Sequence, residues 1–348
     1  MHRVINGYLF KKRMKLIRLL YFIALLSLSG SIFSQDTKIR GFIDVNTSLE
    51  NDALSFQIGE YDLFITSEIN DRISFLGETV FRYDLNKGDF EVSVERVILK
   101  YNYFGNHSFL IGKHHTPLNY WNDSYHHGRV FFPTIDRPYL FKKGIIPLHT
   151  TGASLQGMNL GKLRFGYDLM VGNGIGSNDL KDNDSHKSIT AAVHIKPLDR
   201  MRIGATFYND QITPGSDDHH SPEFEIEEAV KQQLYTASLA YFGKKFELLT
   251  EATYAANTAE TTGTVNSISS YFYAGYRIKE KIVPYFRIDI LNFEDEEFYY
   301  DNNDITTFVT GIRYEINYLA VIKLEYQHES ISLLDNINRV KLQIAIGF

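Results

Sequence analysis

The 348-residue chain contains no cysteine. This excludes a disulfide scaffold and a thiolate metal site. It also lacks repeated apolar runs of the roughly 20 residues that a helical span requires, and its mean hydropathy is only −0.22. There is no excess of basic charge: 36 Lys+Arg stand against 42 Asp+Glu. With a pI near 6.1, the chain has none of the electrostatic footprint of a nucleic-acid binder. Proline is scarce, at eight residues, and no Pro/Gly-rich linker divides the chain. Aromatic residues are plentiful: 25 Phe and 23 Tyr argue against disorder.

Charge is distributed unevenly. Arg3, Lys11, Lys12, Arg13, Lys15 and Arg18 fall within the first 34 residues, which hold no acid, so the other 314 carry 30 bases against 42 acids. The apolar run Leu19–Leu26 continues through Leu28 to Phe33 before Ser34-Gln35-Asp36. A basic start, a short apolar core and a small residue at the polar switch predict a signal peptide over 1–34, cleaved after Ser34, with Met14 an alternative start. A membrane anchor is the competing reading, for which the core is short.

From Ile39 onwards, period-two alternation dominates. Val340, Leu342, Ile344, Ile346 and Phe348 share one face, and Arg339, Lys341 and Gln343 share the other. Arg164–Val171, Tyr285–Ile290 and Ile322–Gln327 repeat the pattern. Full charges on the polar face suit a solvated lumen better than a sandwich core, and the segments are long enough to cross a membrane at a tilt. Short turns are expected near 70–72, 104–106, 160–162, 197–199, 243–245, 279–281 and 316–318. Longer loops are expected near 50–53, 85–90, 115–148, 174–186, 210–230, 257–265, 293–303 and 329–336. They join 16 strands, which predicts an all-β, 16-stranded antiparallel transmembrane β-barrel over 35–348. Tyr101, Phe104, Tyr241, Phe242, Tyr276 and Tyr318 lie beside the turns, as an interfacial girdle would. Glu225–Gln233 is the one segment with a helical pattern.

A barrel of this size is wide enough for an aqueous channel, so something must restrict it. The third loop, 115–148, is the longest. It holds the only tryptophan, Trp121, together with Pro117, Pro133, Pro138 and many aromatics. A long, stiff, aromatic loop is better explained by packing inside the barrel than by exposure to water. Arg129, Arg137, Lys142 and Lys143 outnumber Asp123 and Asp136 there, and His114, His115, His126, His127 and His149 cluster in or beside it. Adjacent histidines point to opposite sides of a strand and form no ready chelate, so no metal site or cofactor is expected. Arg129 and Arg137 have two readings: selectivity charges, or ion pairs with Asp123 and Asp136 that pin the loop. Alternation also turns Arg82, Arg96, Lys100, Arg287, Arg313 and Arg339 inward. The inward charges are nearly balanced, and a basic third loop predicts mild anion preference. Residues 210–230 and 293–303 are acidic without any Lys or Arg. These are solvated charge runs, or divalent-cation bridges to lipopolysaccharide.

Gly112-Lys113 followed by Thr116-Pro117-Leu118, within this overall plan, resembles the general and phosphate-selective outer-membrane porins of the Bacteroidota branch. The resemblance covers about residues 35–348. It implies a third loop folded into the lumen as the constriction, passage of small solutes or ions, and a homotrimer. It also implies recognition of Phe348, outward on the last strand, by the barrel assembly machinery. The Arg/Lys ladder of phosphate-selective members does not align residue by residue, so phosphate selectivity is not carried over. A structural or adhesive barrel without transport is an alternative. A barrel-rim hydrolase is another, although no Gly-x-Ser-x-Gly motif is present, so the chain is not expected to be an enzyme.

Overall fold

The computed structural model describes residues 36–84, 89–125, 128–174, 182, 184–214, 228–300 and 303–348. Residues 1–34, read as the signal segment, lie outside the described residues. Sixteen strands close into one antiparallel barrel in which each pairs with its sequence neighbours and the first pairs with the last. They are β1 (Asp36–Glu50), β2 (Ala53–Glu68), β3 (Ile73–Asp84), β4 (Asp89–Phe104), β5 (His107–His115), β6 (His149–Leu160), β7 (Phe165–Gly172) and β8 (Ser188–Ile195). The second half comprises β9 (Met201–Ile212), β10 (Val230–Phe242), β11 (Phe246–Ala259), β12 (Gly263–Tyr276), β13 (Ile282–Phe293), β14 (Ile305–Asn317), β15 (Ala320–Ile331) and β16 (Ile337–Gly347). Two short helices lie between β5 and β6: α1 (Tyr120–Tyr125) and α2 (Tyr139–Lys142).

The alternation fixes which face points where. On β16, Leu342, Ile344 and Ile346 are exposed outward, whereas Gln343 and Ala345 are buried inside. A closed sheet leaves no unpaired edge, so every strand can carry a lipid-compatible outer row without exposing backbone polar groups. The seam runs from Phe42↔Gly347 to Glu50↔Arg339. Phe348 extends it with two backbone hydrogen bonds to Gly41, each 2.9 Å, and its ring stacks on Tyr61 at 6.1 Å. A side chain at Gly41 would strike that ring.

The β1–β2 connection is only Asn51-Asp52, with φ of 49° and 63°. This is the left-handed pair of a two-residue hairpin turn, whose twist matches the strands. Together with residues 260–262 between β11 and β12, it departs from the expected alternation of short and long connections. Two further expectations are corrected. Residues 230–233 belong to strand β10 rather than to a helix; the alternation of Val230, Gln232 and Leu234 into the barrel outweighs local helical pattern, and 225–227 lie outside the described residues. Phe242 does not join the outer girdle but turns inward, where its ring meets Tyr120 and Tyr125.

Candidate channel constriction

The third loop, between β5 and β6, supplies the interior of the barrel. Leu118, Trp121, Phe132, Tyr139, Leu140, Phe141, Ile145 and Ile146 are buried in one cluster with wall residues that include Tyr208, Leu234, Leu249, Tyr271 and Tyr273. Trp121 is wholly buried, with ring contacts to Tyr125, Phe132, Phe141 and Tyr271 at 5.4, 5.3, 6.2 and 6.0 Å. The apolar core therefore lies between loop three and one side of the wall.

Acidic and basic side chains on the wall hold the loop backbone. Both Tyr120 and Trp121 donate their amides to the Glu251 carboxylate. This meets donors left free at the start of α1, and Tyr271 adds its hydroxyl to the same carboxylate. Glu325 accepts from the Ile135 amide at 2.6 Å. From the cationic side, Lys323 donates to the Arg129 and Thr134 carbonyls at 2.6 and 3.1 Å. Arg287 donates to Thr134 Oγ1 and the Asp136 carbonyl at 2.5 and 2.7 Å. Arg313 donates to the Pro133 carbonyl at 3.0 Å while gripping Glu247 through two 2.8 Å bonds. At the roots of the loop, Asn122 donates to the Thr116 and Leu148 carbonyls at 2.9 and 3.0 Å, and the Thr116 amide reaches the Leu148 carbonyl at 3.1 Å.

The charged residues of the loop are dispersed rather than gathered. Arg129 pairs with Glu60 at 3.1 Å, and its guanidinium lies 4.9 Å from the Phe132 ring centre. Asp136 binds Lys341 and, at 3.1 Å, Gln327. Burial alone would raise its carboxyl, but the Lys341 and Lys142 charges outweigh this and hold it well below the usual carboxylate range. Asp123 pairs with Arg202 at 2.5 Å. Arg129, Asp123 and Asp136 thus find their partners on the wall, in Glu60, Arg202 and Lys341, rather than in one another. Arg137 is half-buried, within electrostatic reach of Arg129, Glu60, Arg82 and Glu95. Lys142 is exposed, with Nζ 4.7 Å from the Tyr139 ring centre, and Lys143 is half-buried. His126 and His127 lie outside the described residues.

Four of the expected wall cations are likewise matched. Arg82 meets Glu60 at 2.7 Å and Arg96 meets Glu78. Arg287 meets Asp289 at 3.0 Å, and Arg339 meets Glu50 and Glu329 at 2.5 Å each. Lys100 is half-buried, opposite Ser74 in the register. Glu60, Asp210 and Glu329 are interior acids that alternation alone did not identify. Glu60 has the parity of Asp62 and was legible from it. The other two fall where strands run past the expected loop boundaries.

Toward the short-turn end, a cavity of 640 Å³ opens beneath the loop, lined by Tyr125, Phe131, Pro133 and Phe242. Its charged lining is Arg200, Lys244, Arg277 and Arg313 against Glu247, Glu280 and Glu315.

Neither a protein-family model nor a curated protein sequence matches the chain. Solved structures do. OmpT, an outer-membrane protein of Vibrio cholerae in its trimer form, superposes with a TM-score of 0.67 at 13% identity over 91% of this chain and all of that one. An anion-selective porin from Comamonas acidovorans gives 0.65 at 10% identity over 90% and 100%. The outer membrane channel DcaP of Acinetobacter baumannii gives 0.63 at 12% over 90% and 97%. At these identities the shared property is the fold, a 16-stranded outer-membrane-type barrel.

Proposed function

We propose that the chain is an outer-membrane porin: a passive diffusion channel for small hydrophilic solutes, with mild anion preference. The observation that carries this reading is the closed barrel whose third loop is tied inward by wall charges above a 640 Å³ charged cavity. That arrangement narrows a wide barrel without a moving part. The described charges of the cavity number four bases and three acids, which supports a weak preference for anions. Arg129, Arg137, Lys142, Lys143, Asp123 and Asp136 are the loop charges that act beside them. The fold likeness to an anion-selective porin supports the same reading.

The reading extends to residues 1–34 as an export signal and to residence in the bacterial outer membrane, among lipid and lipopolysaccharide. Phe348 serves as the contact for barrel assembly. A homotrimer is the proposed assembled form, and the trimer form of the Vibrio cholerae protein supports it. The test is single-channel recording of the refolded protein in planar bilayers. Steady conductance with reversal potentials on the anion side at pH 7 is expected; cation-side potentials refute the preference. The dense aromatic packing around Trp121 favours one second reading, a barrel without transport, which absent conductance would establish.

A further inference from the structure

The connections at the short-turn end differ in charge. Residues 161–164 between β6 and β7 carry Lys162 and Arg164, and residues 196–200 between β8 and β9 carry Lys196 and Arg200. Residues 243–245 between β10 and β11 add Lys244 and Lys245, and residues 277–281 between β12 and β13 add Arg277, Lys279 and Lys281. These four turns hold nine bases against two acids, Asp199 and Glu280. The other three, 69–72, 105–106 and 318–319, together hold one base and one acid. At the opposite end of the barrel, residues 294–297 after β13 are four consecutive acids.

The basic turns form one continuous rim. The Lys196 amide donates to the Leu163 carbonyl at 2.9 Å, the Phe242 amide to that of Arg200 at 3.0 Å, and the Arg277 amide to that of Lys245 at 2.7 Å. Each turn is thereby stitched to the next, and the rim follows half the circumference, from β6 to β13. Most of its charge is unmatched. Asp199 is taken by Arg164 at 3.1 Å, and Arg277 is held by Glu247 and Glu315 on the wall at 2.6 Å each. Lys162, Arg200, Lys244, Lys245, Lys279 and Lys281 are exposed, and none forms an ion pair among the described residues.

Large apolar side chains stand among the amines. Leu163, Leu198 and Phe246 are 55%, 61% and 62% exposed, and the exposed Ile278 sits between Arg277 and Lys279. In water such tips are unfavourable. At a membrane interface, an apolar side chain beside an amine on a long alkyl stem meets acyl chain and headgroup at once. A partner for this rim is anionic, partly apolar and able to follow a convex arc. A leaflet of anionic lipid meets all three conditions, whereas a compact acidic protein would touch only part of the arc.

We propose that the rim of turns between β6 and β13 is a docking surface for anionic phospholipid headgroups, in the leaflet that the short turns face. Its role rests on the membrane residence proposed above and is independent of conductance. Lys162, Lys245, Lys279 and Lys281 lie outside the lining of the large cavity, so they can be changed without touching its charges.

Because the chain has no cysteine, a single introduced one places a fluorophore. Leu163→Cys sits on the basic rim, Tyr318→Cys on an uncharged turn, and Leu169→Cys outward on β7 as a control for insertion. Each refolded full chain is placed in phosphatidylcholine bilayers with the same mole fraction of nitroxide-labelled phosphatidylglycerol or phosphatidylcholine. At Leu163→Cys, labelled phosphatidylglycerol should accumulate at least about fivefold over phosphatidylcholine, the effect of one basic residue at an anionic surface. At Tyr318→Cys the two lipids should quench alike. Lys162→Gln/Lys245→Gln/Lys279→Gln/Lys281→Gln should remove most of the preference. So should salt raised from about 0.1 to 1 M, as the Debye length falls from about 10 to 3 Å. Should the quadruple variant not fold, the salt series decides the matter.

Equal quenching by both lipids at Leu163→Cys, the same excess at Tyr318→Cys, or an excess that survives either the substitutions or the salt would overturn the proposal. Quenching at Leu169→Cys but by neither lipid at Leu163→Cys would place the rim outside the leaflet, favour a soluble acidic partner and overturn it as well. No quenching at Leu169→Cys would refute membrane residence, and the docking surface with it. A lipid preference in a protein without conductance would uphold the rim and refute the channel.

Discussion

Arg287 offers the sharpest test of how loop three is held. Its side chain is 1% exposed and that of its partner Asp289 is 0% exposed, so water screens neither. Replacing Arg287 with Met has two separable effects. It leaves a buried carboxylate uncompensated, which destabilises the barrel by about 3–5 kcal/mol. It also removes the two short bonds to Thr134 Oγ1 and the Asp136 carbonyl, which loosens the loop by about 1–3 kcal/mol. The second term raises the population of detached loop by about five- to 150-fold. The double variant Arg287→Met/Asp289→Asn removes the stranded charge but does not restore the bonds. It should recover most of the barrel's urea midpoint while the loop stays loose. The only tryptophan of the chain is Trp121, buried within loop three, so its emission reports the loop and far-ultraviolet dichroism reports the barrel. Red-shifted emission and noisier single-channel current in both variants, with the barrel transition rescued only in the double one, are expected. Emission and dichroism that move together in both variants would refute the separation.

Asp136 predicts a pH effect whose sign follows from its depressed carboxyl. Its ionised form stabilises the loop at neutral pH, and that contribution is lost only as pH falls below about 4. Trp121 emission should therefore hold steady above that point, and in Lys341→Met it should begin to shift at higher pH; coincident titrations would refute the assigned cause. Arg200 and Lys244 are exposed at the cavity mouth, so Arg200→Glu/Lys244→Glu should move the reversal potential toward cations without altering heat-modifiable mobility. An unchanged potential would place the selecting charges elsewhere. Phe348→Ala removes the ring from the Tyr61 stack at the seam, and the folded fraction recovered from cell membranes should fall severalfold; unchanged recovery would remove Phe348 from assembly.

The barrel was legible in the sequence because its defining constraint is local. Period-two alternation states the orientation of most strand residues, register shifts such as that at Glu78/Thr79 excepted, and turns interrupt it at intervals. Sequence could also show that loop three, with Trp121, Phe132 and Phe141 between prolines, was unsuited to solvent. It could not show which wall residue meets which loop residue. Glu251 and Trp121 are 130 residues apart and Glu325 and Ile135 are 190 apart, and no local pattern encodes such a pairing. For the same reason Arg129 was paired in expectation with nearby Asp123 or Asp136, whereas its partner is Glu60, 69 residues away. Strand ends were the other blind spot: Asp210 and Glu329 look like loop acids until the ladder is seen to reach them.

The neck at Asn122 bears on how such a barrel can change over evolutionary time. One carboxamide fastens the outgoing and returning chain together at Thr116 and Leu148, just beyond the paired ends His115 and His149. Everything between is a cartridge inserted through a single gate. Lengthening or rewriting its tip does not disturb the register of β5 against β6, and closing a longer segment costs little more entropy once its ends are pinned. A lineage can exchange the filling of its barrel while leaving the staves untouched.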